Sequence, residues 1–132
     1  MIMKTTFKPT GYNSVSPYFI SSDVKKFTNL MQQLFQVTEL RKFDRPDGTI
    51  MHLELRIDDS VLMVSQASQQ FGAITHMMHV YVADVDAVYK KALELGCQSL
   101  GEPVQKEDDP DRRGGFTDFD GNQWYVSTQV PG

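Results

Sequence analysis

Two stretches of the chain repeat an apolar residue at helical spacing, and the two repeats are in step. Val24, Phe27, Met31 and Leu34 recur at i, i+3, i+7 and i+10, as do Val85, Val88, Ala92 and Leu95, 61 residues further on. Asp23 and Asp84 stand directly before the two stripes, where a carboxylate accepts hydrogen bonds from first-turn amides. Gly96 closes the second stripe, because glycine takes the left-handed conformation of a helix end without strain. A strand is predicted ahead of each helix, at residues 15–20 and 75–82. Three follow each: 39–43, 49–57 and 61–66 in the first half, and 98–104, 113–118 and 123–129 in the second. Pro46-Asp47-Gly48 supplies turn chemistry to the first hairpin. Residues 105–112, dense in charge and carrying Pro110, read as a solvated, mobile loop.

Each half is therefore β-α-β-β-β, an α+β pattern. Module 1 spans about residues 12–67 and module 2 about 73–130, within one domain. The last hairpin, Asp118-Phe119-Asp120-Gly121-Asn122 followed by Gln123-Trp124-Tyr125-Val126, has a fainter copy 63 residues upstream. There Asp58-Asp59 separates two apolar strands, and Gln66 matches Gln129. A matched helix, turn and terminal glutamine together indicate duplication.

Composition narrows the partners. With 132 residues the chain is long enough for a real core. A net charge of −4 argues against nucleic acid and against an acidic membrane surface. No stretch approaches a membrane span, and residues 1–4 lack the apolar run of a signal peptide. The single cysteine, Cys97, cannot form an intrachain disulfide. A cytoplasmic protein is the expectation.

The paired βαβββ units and the Asp-x-Asp-Gly-Asn turn resemble the vicinal oxygen chelate superfamily, the group of glyoxalase I, extradiol dioxygenases and the bleomycin and fosfomycin resistance proteins. Residues 79–89 and the Asp111-Arg112-Arg113-Gly114-Gly115 run resemble its PhnB-like, glyoxalase-like branch. The resemblance implies a cupped, partly open eight-stranded sheet with helices outside and a ligand cavity inside. It also implies a metal held by a donor on the first and fourth strand of each module. Counting from the helix caps puts Ser16 and Met77 at the first-strand positions. Counting from the last turn puts Tyr125 and Leu62 at the fourth-strand positions. None suits a hard or borderline ion, so the usual metal site is expected to be missing and no cofactor is expected.

Strand alternation predicts the cup's lining. Thr49, Met51, Leu53, Leu55 and Ile57 form an apolar face for a helix, sending His52, Glu54 and Arg56 to the cup or to solvent. The same parity sends Ser14, Ser16 and Tyr18, then Met77, His79 and Tyr81, and finally Gln123, Tyr125 and Ser127 inward. Trp124 and Val126 fall to the core, with a dimer interface the other reading of Trp124. His79, His52 and Glu54 could still form a displaced metal set, or His79 beside Glu54 a general base. Cys97 follows a helix C-terminus, which does not favour a thiolate. Arg113-Gly114-Gly115 reads as a tight strand entry, not a phosphate loop.

Three functions fit these residues. The favoured one is a metal-free protein that binds a small organic molecule in its cup, as bleomycin resistance proteins do. A divalent-metal-dependent lyase, isomerase or dioxygenase built on the displaced set is the alternative. An interaction domain without a small ligand is the third. The resemblance further implies a homodimer.

Overall fold

A computed structural model describes residues 7–131 of the chain. The elements run β1 (Tyr18–Ser21), α1 (Val24–Phe35), β2 (Thr38–Asp44), β3 (Ile50–Ile57), β4 (Ser60–Gln66), then β5 (Met77–Tyr81), α2 (Val85–Glu94), β6 (Gln98–Gln105), β7 (Asp111–Thr117) and β8 (Gln123–Gln129). The chain is α+β, with two βαβββ modules in tandem. Each module makes one four-stranded sheet, ordered β1-β4-β3-β2 and β5-β8-β7-β6. In both, the first strand runs parallel to the last and the remaining pairs are antiparallel. The sheets meet beside β1, where Ile20 bridges Ile74.

The helices start where the carboxylates predicted. Asp23 accepts from the Lys26 amide and Asp84 from the Ala87 amide, each at 3.1 Å. The first stripe is buried as expected, with Leu30 added. In the second, Val85 and Ala92 are buried and Val88 half-buried, whereas Leu95 is exposed. Leu95 caps the helix, and Gly96, at φ +96°, turns the chain so that Cys97 takes the inner position instead. Burial pushes the Cys97 thiol up to about 11, with Asp118 adding to the shift, so it stays a neutral thiol.

The core lies between helices and sheets and crosses from one module to the other. Phe19 of β1 stacks on Trp124 of β8, with ring centroids 5.6 Å apart and planes 10° from parallel. Phe27 and Phe35 of α1 close on this pair from the helix side. Trp124 is thus a core residue, fully buried.

Several expectations shift in detail. β1 begins at Tyr18, not at residue 15, so Ser14 and Ser16 precede the strand; Pro17 cannot donate to the ladder, and Val15 is exposed. Met51 is exposed, not packed under a helix. Phe43 pairs with His52 and Asp44 with Ile50, so Met51 is the extra residue of a bulge that breaks the alternation. The charged loop shrinks to residues 106–110, because Asp111 and Arg112 already belong to β7. It is pinned by Gln105, which donates to the Asp109 carbonyl at 2.7 Å, and by the Arg113–Asp109 ion pair at 2.7 Å.

The repeat offset also needs one correction. The first helical amide of α1, Val24, donates to Gln66, and that of α2, Val85, donates to Thr128. Tyr18 pairs with Met63 just as His79 pairs with Tyr125. Thr128, not Gln129, does the work of Gln66, and Met63, not Leu62, stands opposite Tyr125 in the repeat. Leu62 faces the core and is buried.

The Asp-Gly-Asn hairpin does more than turn the chain. Asp118 gathers the Asp120 and Asn122 amides, the Asn122 side chain and the Trp124 indole, all at 2.9–3.0 Å. Asp120 reaches module 1, accepting from the Ser21 hydroxyl at 2.6 Å and from both the amide and the hydroxyl of Ser22. Asn122 accepts from the His76 amide at the entry to β5. The turn is a staple between modules.

Candidate functional site

On module 1, His52, Glu54 and Arg56 alternate along β3 and share the face opposite Leu53, Leu55 and Ile57. Glu54 is only 4% exposed, an unusual place for a carboxylate unless its oxygens are satisfied. They are. His52 donates from Nε2 to one oxygen at 2.8 Å, the Tyr12 hydroxyl donates to the other, and Arg41 lies 3.9 Å away. Burial by itself would raise the Glu54 carboxyl, but the hydrogen bonds from Tyr12 and His52 outweigh it and hold the group below the usual carboxylate range. Glu54 is therefore ionised at neutral pH.

With Nε2–H committed to Glu54, a neutral His52 keeps Nδ1 as an acceptor. The Tyr18 hydroxyl donates to it at 3.0 Å. The result is a chain, Tyr18–His52–Glu54, that starts at a half-exposed phenol and ends on a buried anion. In form it matches a hydroxyl, a base and an orienting carboxylate. Arg56 lies at the edge of this group, donating to the Gly11 carbonyl at 3.3 Å.

On module 2, the inner face carries Met77, His79 and Tyr81 from β5 and Gln123, Tyr125 and Ser127 from β8. His79 shares a hydrogen bond of 2.9 Å with Ser127 and meets the Tyr81 ring edge-on. Tyr81 donates to the buried Asp111 at 2.7 Å, a bond that holds its phenol above the usual range. Arg113 completes the set, 3.0 Å from Asp111. Gly115 is needed here, because a Cβ would come within 2.9 Å of the Tyr125 ring lying across it. Gly114 similarly admits Pro103 of β6, whose nearest atoms would lie 3.1 Å from a Cβ. Close strand packing explains the two glycines.

Two hollows adjoin the module 2 residues, and neither is lined by His52, Glu54 or Arg56. A crevice of about 450 Å³ lies between the modules, bordered by Val15, Pro17 and Val61 on one side and His79 and Tyr81 on the other. A shallower one, about 300 Å³, is bordered by Leu100, Val104, Asp109, Arg113 and Tyr125. Sequence reasoning missed Tyr12, Arg41 and Asp111. Tyr12 sits in an irregular Gly-Tyr-Asn-Ser stretch whose direction no periodicity reports.

The displaced metal set does not assemble. His52 and Glu54 are in contact, but His79 belongs to the other sheet and is bonded to Ser127. Among the described residues no three of His, Cys, Asp and Glu gather as metal ligands do. The positions that the fold would use for a metal also fail the test of donor chemistry. Ser16 and Tyr125 offer only hydroxyl oxygens, and Met77 and Met63 offer soft thioethers, for which hard divalent ions have little affinity.

No family model matches the chain. An uncharacterized protein of Mycobacterium bovis is 25% identical over 128 residues, covering 89% of this chain and 84% of that protein. Among solved structures, TioX from Micromonospora sp. ML1 superposes with a TM-score of 0.68 at 17% identity, over 91% of this chain and 98% of TioX. A variant of the fosfomycin resistance protein FosX from Listeria monocytogenes, complexed with Mn(II) and 1S,2S-dihydroxypropylphosphonic acid, superposes with a TM-score of 0.66 at 17% identity, over 87% and 88% of the two chains. At these identities the structural likeness shows the fold alone, and the fold expected from the paired modules is the fold found. Among the described residues no helix is long and apolar enough to cross a membrane.

Proposed function

We propose that the protein binds a small organic molecule between and within its two modules, without the metal centre its fold commonly carries. The observation behind this reading is the inner face of module 2. Met77 is 69% exposed, Tyr81 62% and Tyr125 37%, and Leu100 and Val104 beside them are also open. A sheet face meant for water has no need of such a patch. Polar groups are set into it at defined points: His79 with Ser127, and Arg113 with Asp111. Apolar walls with a few oriented polar atoms are the usual composition of an organic-ligand site. The FosX neighbour that holds a dihydroxypropylphosphonic acid supports the same use of the fold.

A thermal-shift screen of aromatic, cationic and glycopeptide-like compounds tests this, since a ligand bound only by the native state raises the melting temperature. At a hundredfold excess over its dissociation constant a true ligand raises stability by about 2.7 kcal/mol. A compound class that stabilises the wild type and not Tyr125→Ala is expected. No stabilisation by any class would sink the reading, as would a stoichiometric divalent ion retained on purification.

We also propose a homodimer that covers part of this apolar surface, a closed twofold pair being the commonest assembly. Light scattering at micromolar concentration is expected to give twice the chain's 15.0 kDa. A monomer mass would refute it.

A further inference from the structure

We infer that Tyr12 occupies a binding site for phenols on the inner face of module 1, so that the segment leading into β1 acts as a tethered stand-in for a phenolic ligand. The inference deepens the small-molecule reading but rests on the other sheet.

Three features of the Glu54 pocket carry it. Glu54 presents an ionised carboxylate oxygen to the Tyr12 hydroxyl, a charge-assisted bond of the stronger kind. Its second oxygen is already held by His52, and His52 by Tyr18, so the acceptor is oriented by the sheet and not by Tyr12. Arg41 lies over the Tyr12 ring, 5.3 Å from its centroid, where a guanidinium is attracted to an aromatic face. A fixed anion for the hydroxyl and a cation for the ring make a recognition site with the chemistry of a phenol.

The chain that delivers Tyr12 is loosely built. Residues 7–17 form no strand or helix. Around Tyr12 its backbone makes a turn bond to the Pro9 carbonyl, and Gly11 accepts from Arg56 at 3.3 Å. Asn13, Ser14 and Val15 are exposed. Lys8 donates to Ser14 within the segment, and the Pro17 carbonyl accepts from the Met63 amide at 3.0 Å where the segment joins β1. Between Gly11 and Pro17 the Tyr12 side chain is the anchor to the sheet, and a free phenol competing for Glu54 would have to displace only this stretch. In the wild type the site is open for the fraction of time the segment is away, which lowers the apparent affinity by that fraction.

Chemical rescue tests this directly. Tyr12→Ala leaves the anion, the imidazole and the guanidinium in place and removes the phenol. In thermal-shift measurements p-cresol is expected to raise the melting temperature of Tyr12→Ala by about 4 °C at ten times its dissociation constant. Toluene, of nearly the same size but without a donor, is expected to raise it by less than half as much. The wild type is expected to respond to neither at the same concentrations. Equal effects of p-cresol and toluene, or none from either, would overturn the inference. Should Tyr12→Ala fail to fold, titrating the wild type with high p-cresol must move the amide signals of Gly11 and Tyr12 and the ring signals of His52. Unmoved signals overturn it too. The general binding reading is judged separately, on wild-type protein and Tyr125, so either can fail alone.

Discussion

Replacing Trp124 with alanine is expected to remove about 3–5 kcal/mol of folding stability, the cost of a large cavity in a close-packed core. The side chain is fully buried and lies where the modules join. It stacks on Phe19, meets Phe35 at 5.5 Å and donates its indole N–H to Asp118. Neither neighbour can fill the void, because each is held by its own element, Phe19 by β1 and Phe35 by the last turn of α1. A domain of this size has about 5–15 kcal/mol in total, so the variant should be close to unfolding. Urea denaturation followed by far-ultraviolet circular dichroism measures it, since the variant has no tryptophan to report by fluorescence. A loss below about 1.5 kcal/mol would mean that the site collapses easily and the modules are joined elsewhere.

Trp124 also shows what the sequence could and could not tell. Its place in the core followed from alternation along β8, and the duplicated helices followed from their matched stripes. Such features are local: a period of two or of 3.6 is written within a few residues of itself. The link from Asp120 to Ser21 and Ser22 joins residues about a hundred positions apart and has no local signature. The same holds for Tyr12, whose target Glu54 is 42 residues away. Single-residue slips were the other failure. The bulge at Met51 breaks the alternation within β3, and an offset of 62 instead of 63 in the last strand moved the repeat partner of Tyr125 from Leu62 to Met63.

That slip bears on chemistry but does not reverse it. A thioether at Met63 is no better a ligand for a hard ion than an isobutyl group at Leu62. What the structure adds is where ionisable groups collect instead. Glu54 and His52 gather on module 1, Asp111 and Arg113 on module 2, and each group is satisfied within its own module. The proposed ligand sites are therefore built from hydrogen-bond donors and acceptors whose orientation does not depend on a metal.

Asp118→Ala is expected to cost about 3–4 kcal/mol, although the change removes only a small side chain. The carboxylate is 7% exposed and serves four donors: the amides of Asp120 and Asn122, the Asn122 side chain and the Trp124 indole. Alanine leaves the last three buried and unpaired, at about 1–3 kcal/mol each before relaxation. Asp118→Asn should be nearly as damaging. Its NH₂ would face two donors, Asn122 Nδ2 and Trp124 Nε1, with no proton acceptor between them. Thermal or urea unfolding of both variants measures the effect, and a loss under about 1 kcal/mol for either would show that water replaces the carboxylate. A double-mutant cycle with Trp124→Phe isolates the indole bond. The double variant should lose less than the sum of the two single losses by about 0.5–3 kcal/mol, since each single change already breaks the shared contact. Strict additivity would mean that Asp118 and Trp124 act separately, and the hairpin would then hold the modules through Asp120 and Asn122 without help from the core.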